Sequence, residues 1–298
     1  MRTPMTPAHD PQMPRARSYP AWFFVPAAVV FGVLFLAPML AAFYFSLTRW
    51  TLFESTFIGF DNFAQFLREP FLVKGLLNTL VYAVVTSGLK VVFGMVLGVI
   101  LTSPMRFRDF LRSVVFFPVL VSTVGVGLTF TVLMHPQNGL INQTLALVGL
   151  EGPSWLTDPR FALLSVALVD VWKGVGLATL IYIAGIVSIP TEYYEAARIE
   201  GATWQQQFWR VTLPLARPAT VTVVILSFIG GLRSFDLIWA MTRGGPGFTT
   251  DVIASVIYKQ YQAGFYGLST AGNVVLFLLI AVLVVPLYLR LNRQESAA

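Results

Sequence analysis

The stretch that decides the fold reads Glu195-Ala196-Ala197-Arg198-Ile199-Glu200-Gly201-Ala202-Thr203-Trp204-Gln205-Gln206-Gln207-Phe208-Trp209-Arg210-Val211-Thr212-Leu213-Pro214-Leu215-Ala216-Arg217-Pro218. It is the longest polar interruption between apolar runs in the C-terminal half. With Glu192 it gathers three carboxylates (Glu192, Glu195, Glu200) and three guanidinium groups (Arg198, Arg210, Arg217). Residues 190–198 favour helix, and Pro190 suits a first helical turn. Gly201 breaks that run, because glycine turns a chain where other residues strain. A second helical stretch follows, with Trp204, Phe208 and Val211 spaced to share a face. Pro214 and Pro218 are expected to end it, since proline lacks the amide donor and clashes with the preceding turn. The expectation is a short helix-turn-helix outside a membrane, with one apolar and one charged face.

Composition sets the surroundings of this element. Of 298 residues, 56% are hydrophobic and only 11% charged, and the mean hydropathy is +0.72. Soluble domains carry about 25% charged residues, so the chain reads as an all-α integral membrane protein. Cysteine is absent, which excludes a disulfide framework and a thiolate metal site. His9 and His135 are the only histidines, too few for a histidine-based metal centre. The net charge of +6 follows from membrane orientation and does not argue for nucleic acid.

A spanning helix needs about 20 mostly apolar residues. Six segments meet that length: 22–47, 73–101, 112–134, 161–187, 218–240 and 268–289. The first is too long for a signal-peptide core. The division expected is a disordered cytoplasmic tail over 1–20, a first helix with its outer loop over 21–72, a transmembrane domain over 73–289 with a cytoplasmic loop over 188–217, and a cytoplasmic tail over 290–298. Lys and Arg near the segment ends set orientation. With both termini inside, the inner side holds Arg2, Arg15, Arg17, Arg106, Arg108, Arg112, Arg198, Arg210, Arg217, Arg290 and Arg293, against Arg49, Arg68, Lys74, Arg160, Arg243 and Lys259 outside. The bias puts both termini and the Glu195 stretch in the cytoplasm.

The outer loops differ in character. Residues 48–72 bring Trp50, Phe53, Phe57, Phe60, Phe63 and Phe66, an aromatic set suited to the membrane–water interface or to contact with an external protein. Residues 141–148 can form a short amphipathic helix, and Gly244-Gly245-Pro246-Gly247 marks a turn. Gly94-Met95-Val96-Leu97-Gly98 is a GxxxG pattern that lets two helix backbones approach.

Five ionisable residues fall inside apolar segments: Lys90, Asp170, Lys173, Arg233 and Asp236. Each costs about 2.5–3.5 kcal/mol at a helix centre on insertion scales, so they should pair or face a polar interior. Asp170 with Lys173, and Arg233 with Asp236, are spaced to share a helix face. Lys90 has no local partner and needs one from another helix. The set is a candidate lining for a substrate path, Arg233 and Asp236 foremost, or a set of helix-locking pairs.

The pattern Glu195-Ala196-Ala197, Glu200-Gly201-Ala202, Phe208, Leu213-Pro214 and Pro218 resembles the EAA loop of bacterial ABC-importer permeases, with Glu200 where that family usually has aspartate. Trp172-Lys173-Gly174, Ala184-Gly185, Ile189-Pro190, Phe235-Asp236 and Thr242-Arg243-Gly244-Gly245-Pro246 extend the resemblance to nearly the whole chain. They resemble the carbohydrate-uptake branch of maltose, lactose, multiple-sugar and glycerol-3-phosphate type. The resemblance implies a compact six-helix type I importer fold in a bacterial or archaeal cell membrane. It implies a second, homologous or identical permease, an external sugar-binding protein, and ATP-binding subunits that dock on the Glu195 loop. ATP and Mg would be bound by those subunits; this chain has no Gly-Lys pair and so no P-loop, and no cofactor or enzymatic centre of its own is expected. Two other readings remain open at this level. One is an ion-gradient-driven secondary transporter using Asp170 and Asp236; the other is a membrane scaffold that recruits a cytoplasmic protein.

Overall fold

A computed structural model describes residues 21–51 and 53–293. The expected tail over 1–20 and the last five residues lie outside them. The chain runs through α1 (Trp22–Ser46), a hairpin of β1 (Thr48–Trp50) and β2 (Ser55–Phe57), α2 (Asp61–Arg68), α3 (Pro70–Thr102), α4 (Arg108–Leu120), α5 (Thr123–Leu133) and α6 (Leu140–Leu147). It continues through α7 (Ala162–Val187), α8 (Thr191–Ile199), α9 (Trp204–Leu215), α10 (Arg217–Leu232), α11 (Asp236–Met241), α12 (Ile253–Gln262) and α13 (Tyr266–Arg293). The two strands pair antiparallel, Thr48 opposite Phe57 and Trp50 opposite Ser55. This small hairpin is an addition to the expected all-helical reading.

Four helices, α1, α3, α7 and α13, are each long and apolar enough to cross a membrane. The pairs α4–α5 and α9–α10 pass the same test only together, across bends of 98° and 66°. Counted as one span each, these pairs raise the number of crossings from four to six, which returns the chain to the side on which it entered and places the α8–α9 turn on that side.

Two expected spans are corrected. The segment 112–134 is not one straight helix: Val121 turns extended (ψ 142°) and Ser122 (ψ 130°) starts a new helix. Pro118 weakens the last turn of α4, and serine favours helix starts. The segment 218–240 is also broken. α10 stops at Leu232, and Arg233, Ser234 and Phe235 form a break before α11. Gly230-Gly231 lowers helix propensity just ahead of it. Gly231 packs so tightly on α3 that a Cβ there would come 2.6 Å from Ala83 Cα.

Pro214 does not end the second helix of the Glu195 stretch, contrary to the sequence expectation. A wide π turn over Phe208–Thr212 precedes it, and the helix resumes at Leu213. The first span has the same arrangement, with a π turn over Gly32–Leu36 followed by Pro38. A widened turn removes the demand for the donor that proline lacks. Pro218 sits in the first turn of α10, where a missing amide costs nothing.

The core is the seam between α3 and α7, flanked by α10. Gly94 and Gly98 of the GxxxG pattern face α7, where added Cβ atoms would come 2.8 Å from Ala178 Cβ and 2.7 Å from Tyr182 Cβ. Tyr182 is fully buried there with Met95, Ala216 and Val223. Phe66 of the outer aromatic set is also buried, against Leu72, Ile253 and Leu268, and so is not an interfacial anchor. Phe53, Phe57 and Phe60 are exposed, as interfacial or contact residues require. Gly98→Leu is expected to overpack the seam and destabilise the protein by about 1–3 kcal/mol. Thermal unfolding in detergent checks this, with Gly230→Ala, which has open space around it, as the control expected to show no loss of stability.

Candidate functional site

The Glu195 stretch forms two short helices at a sharp turn. α8 starts after Pro190, which caps it in extended conformation (ψ 136°) and does not enter its first turn. The Gly201 amide donates to the Arg198 carbonyl (3.0 Å) and the Ala202 amide to the Ala197 carbonyl (2.9 Å), closing the helix end. Gly201 takes φ +75° with nothing within 4 Å of a Cβ placed there. Glycine is required by the backbone, therefore, and not by crowding within this chain.

Thr203 then caps α9 in a reciprocal box with Gln206. Gln207 Nε2 donates to the Ala202 carbonyl at 3.0 Å, and the Tyr194 hydroxyl meets the Thr212 hydroxyl at 3.1 Å. These bonds brace the two helices as one piece. Trp204 and Phe208 stack as the shared face predicted, with ring centroids 6.2 Å apart.

Glu195, Ala196, Glu200, Gly201 and Pro214 are exposed, and Ala197 and Ala202 are half-buried. Glu195 and Glu200 make no ion pair among the described residues. Phe208 and Leu213 turn the other way and pack on the Met95–Tyr182–Ala216 cluster, so they anchor the turn to the bundle. Sequence reasoning put Trp204 on the apolar face but passed over Ile199 and Trp209; beside the exposed carboxylates, Ile199, Trp204 and Trp209 are 88%, 65% and 64% exposed. A large apolar patch rimmed by charge marks an interaction surface.

The charged residues of the spans separate into two groups. Lys90 on α3 finds its cross-helix partner in Asp170 on α7, Nζ to Oδ2 2.7 Å. The expected local pair of Asp170 with Lys173 is therefore replaced by a pair across the central seam. Gly174 makes room for it, since a Cβ there would come 2.7 Å from Lys90 Cε. Arg233 and Asp236 do not share a helix face, because the break after Leu232 separates them; both are exposed, and no ion pair joins them.

Lys90 and Lys173 line one cavity of about 260 Å³ with Gly174, Ser227 and Gly230. Beside the Arg233 break, Phe235, Trp239 and Tyr258 form an aromatic cluster with centroids 4.9–5.6 Å apart. Nothing in the sequence spacing pointed to Tyr258, which comes from α12.

The outer side holds a second buried ion pair that the sequence did not announce. Asp251 is 1% exposed and receives Lys259 Nζ at 2.7 Å and the Ser255 hydroxyl at 2.7 Å. Asn78 of α3 donates to the Thr249 and Asp251 carbonyls at 3.0 and 2.8 Å. Gly244, at φ +87°, lies directly over the Asp251 carboxylate. The Gly-Gly-Pro turn is thus a fixed plug on the outer end of α3.

Residues 90–294 match the family model described as the inner membrane component of binding-protein-dependent transport systems. The chain belongs to this family. The permease is 34% identical to the probable ABC transporter permease protein YurN of Bacillus subtilis (strain 168), over 88% of this chain and 92% of that protein. It is 31% identical to the trehalose/maltose transport system permease protein MalF of Thermococcus litoralis, over 90% and 92%. Its fold matches a chain of a bacterial ABC transporter involved in import of the acidic polysaccharide alginate, with a TM-score of 0.79 at 24% identity, covering 91% of this chain and 94% of that one. The permease is a multi-pass membrane protein with the type I importer fold.

Removing one member of the Lys90–Asp170 pair leaves a buried charge unmatched. Asp170→Ala is expected to cost about 3–5 kcal/mol, and the double change Lys90→Met with Asp170→Leu to fall well short of that. Denaturant unfolding in detergent of the two single variants and the double variant measures the difference.

Proposed function

We propose that this permease forms the membrane path of an ATP-driven sugar importer and is moved through its α8–α9 turn by a separate ATPase subunit. The observation that carries the reading is the braced, exposed turn at Gly201, which runs through buried Ala216 directly into the spanning helix α10. A push on Ile199, Trp204 or Glu200 therefore reaches the Arg233 break without passing through a flexible linker. Sugar as cargo is supported by relatives named for trehalose/maltose transport and for multiple-sugar-binding transport. An external binding protein that delivers the sugar, and a second permease completing the path, accompany this reading, as do ATP and Mg held by the ATPase subunit. Asp170, one of the two carboxylates an ion-driven carrier would use, is held by Lys90.

Within the path, Arg233 and Asp236 flank the helix break and supply hydrogen-bonding groups for hydroxyls. Lys173 adds a charge from α7, and the Lys90–Asp170 pair locks the seam behind them. Pull-down of the permease from native membranes in mild detergent is expected to bring a P-loop ATPase and a second six-helix chain; a chain that emerges alone and stable contradicts the reading.

Two variants test the parts separately. Gly201→Val forces a β-branched residue to φ +75°; ATP-driven uptake in proteoliposomes should fall at least tenfold while the permease still assembles. Gly201→Asp adds charge at the same turn and should also uncouple uptake. Asp236→Ala should lower the sugar uptake rate or change selectivity while ATPase binding stays unchanged; full uptake with unaltered selectivity would remove Asp236 from the path.

A further inference from the structure

The cavity between α3, α4, α7 and α10 has a mostly aliphatic wall, in which Lys90, Lys173 and Ser227 are the polar side chains, and no carboxylate among the described residues is in its lining. Its volume of about 260 Å³ suits one sugar unit. Asp170 lies within ion-pair distance of Lys90 but outside that lining. Lys90 is 8% exposed, and among the described residues the Asp170 carboxylate takes its one hydrogen bond. An ammonium carries three donors, so two remain for whatever occupies the cavity.

Lys173 has no ion-pair partner among the described residues. It stands eleven residues from the start of α7 and fourteen from its end, about 16 and 21 Å along the axis. A lysine stem is too short to carry its head to either interface from there. The cavity therefore holds one cation matched by Asp170 and one left over.

We propose that this cavity takes the anionic group of an acidic sugar, a carboxylate, sulfonate or phosphate, with Lys173 and the free donors of Lys90 as its partners. The proposal rests on the sugar-importer reading and narrows its substrate to anionic sugars. Lys173 is the specificity-determining residue, because it brings the unmatched charge. Ser227 offers a hydroxyl to the same cavity, and Gly174 keeps the Lys90 ammonium at the cavity wall. A neutral sugar in that place would leave Lys173 unmatched inside the membrane, where unpaired ionisable groups are disfavoured.

The test uses the whole complex with its binding protein in proteoliposomes. The probes are millimolar radiolabelled disaccharides ending in glucuronate, in glucose 6-phosphate or in glucose. At least one acidic probe is expected to enter tenfold faster than the glucose probe, and comparison of the two tells carboxylate from phosphate preference. Lys173→Met should slow the acidic probe about tenfold and the glucose probe less than twofold, and Lys173→Arg should restore acidic uptake to within twofold. Equal or faster entry of the glucose probe, or equal slowing of all probes by Lys173→Met, overturns the proposal while ATP-dependent uptake leaves the importer reading standing. No ATP-dependent uptake of any probe overturns both.

Discussion

Charge cannot stand alone in hydrocarbon, and the bundle is arranged around that constraint. Lys90 enters on α3 and Asp170 on α7, and the two meet at 2.7 Å across the central seam. The meeting requires the helices to lie close, and the glycines provide the approach. Gly94 and Gly98 admit Ala178 and Tyr182 on the same seam, and Gly174 admits the Lys90 side chain. A salt bridge of this kind contributes little net stability against a well-packed apolar pair, but it penalises any other register of the two helices. The pair is therefore best understood as fixing how α3 sits on α7. The side of α7 that brings Lys173 to the Lys90 cavity follows from that register.

The same economy appears at both ends of the bundle. On the outer end, the Asp251–Lys259 pair and the Asn78 bonds hold the Gly-Gly-Pro turn against α3. On the other end, the α8–α9 turn is closed by its own backbone and by the Tyr194–Thr212 contact. Between these fixed ends lies the break over Arg233 to Phe235, where α10 stops short. An interrupted helix at membrane depth is tolerated where it lines protein or a water-filled cavity. A rigid input, a rigid outer plug and a broken helix between them are the parts needed for a path that opens to alternate sides.

Much of this was legible before any coordinates. The four continuous spans, the Gly201 turn, the short helix near residue 141 and the need of Lys90 for a distant partner all follow from local rules of length, period and charge. The misreadings also have local causes. Pro214 was read as a stop because proline usually is one, and the widened π turn before it is a backbone adjustment that composition does not encode. Arg233 and Asp236 were placed on one face because three-residue spacing implies it only where the helix is continuous. Phe66 was grouped with interfacial aromatics because burial against α12 and α13 has no signature in its own neighbourhood.

The sequence by itself determined that the chain crosses a membrane several times, which side carries the Glu195 turn, and where glycine must reverse the backbone, since hydrophobic length, arginine bias and φ preference act over a few residues at a time. Only the tertiary structure decided which charges pair. Asp170 has a lysine three residues away and another eighty residues away in sequence, and the choice of the distant one depends on how α3 packs on α7. That choice leaves Lys173 without an ion-pair partner among the described residues and gives the cavity beside it its charge, because an ion pair is set by distance in space, which spacing along one helix does not specify.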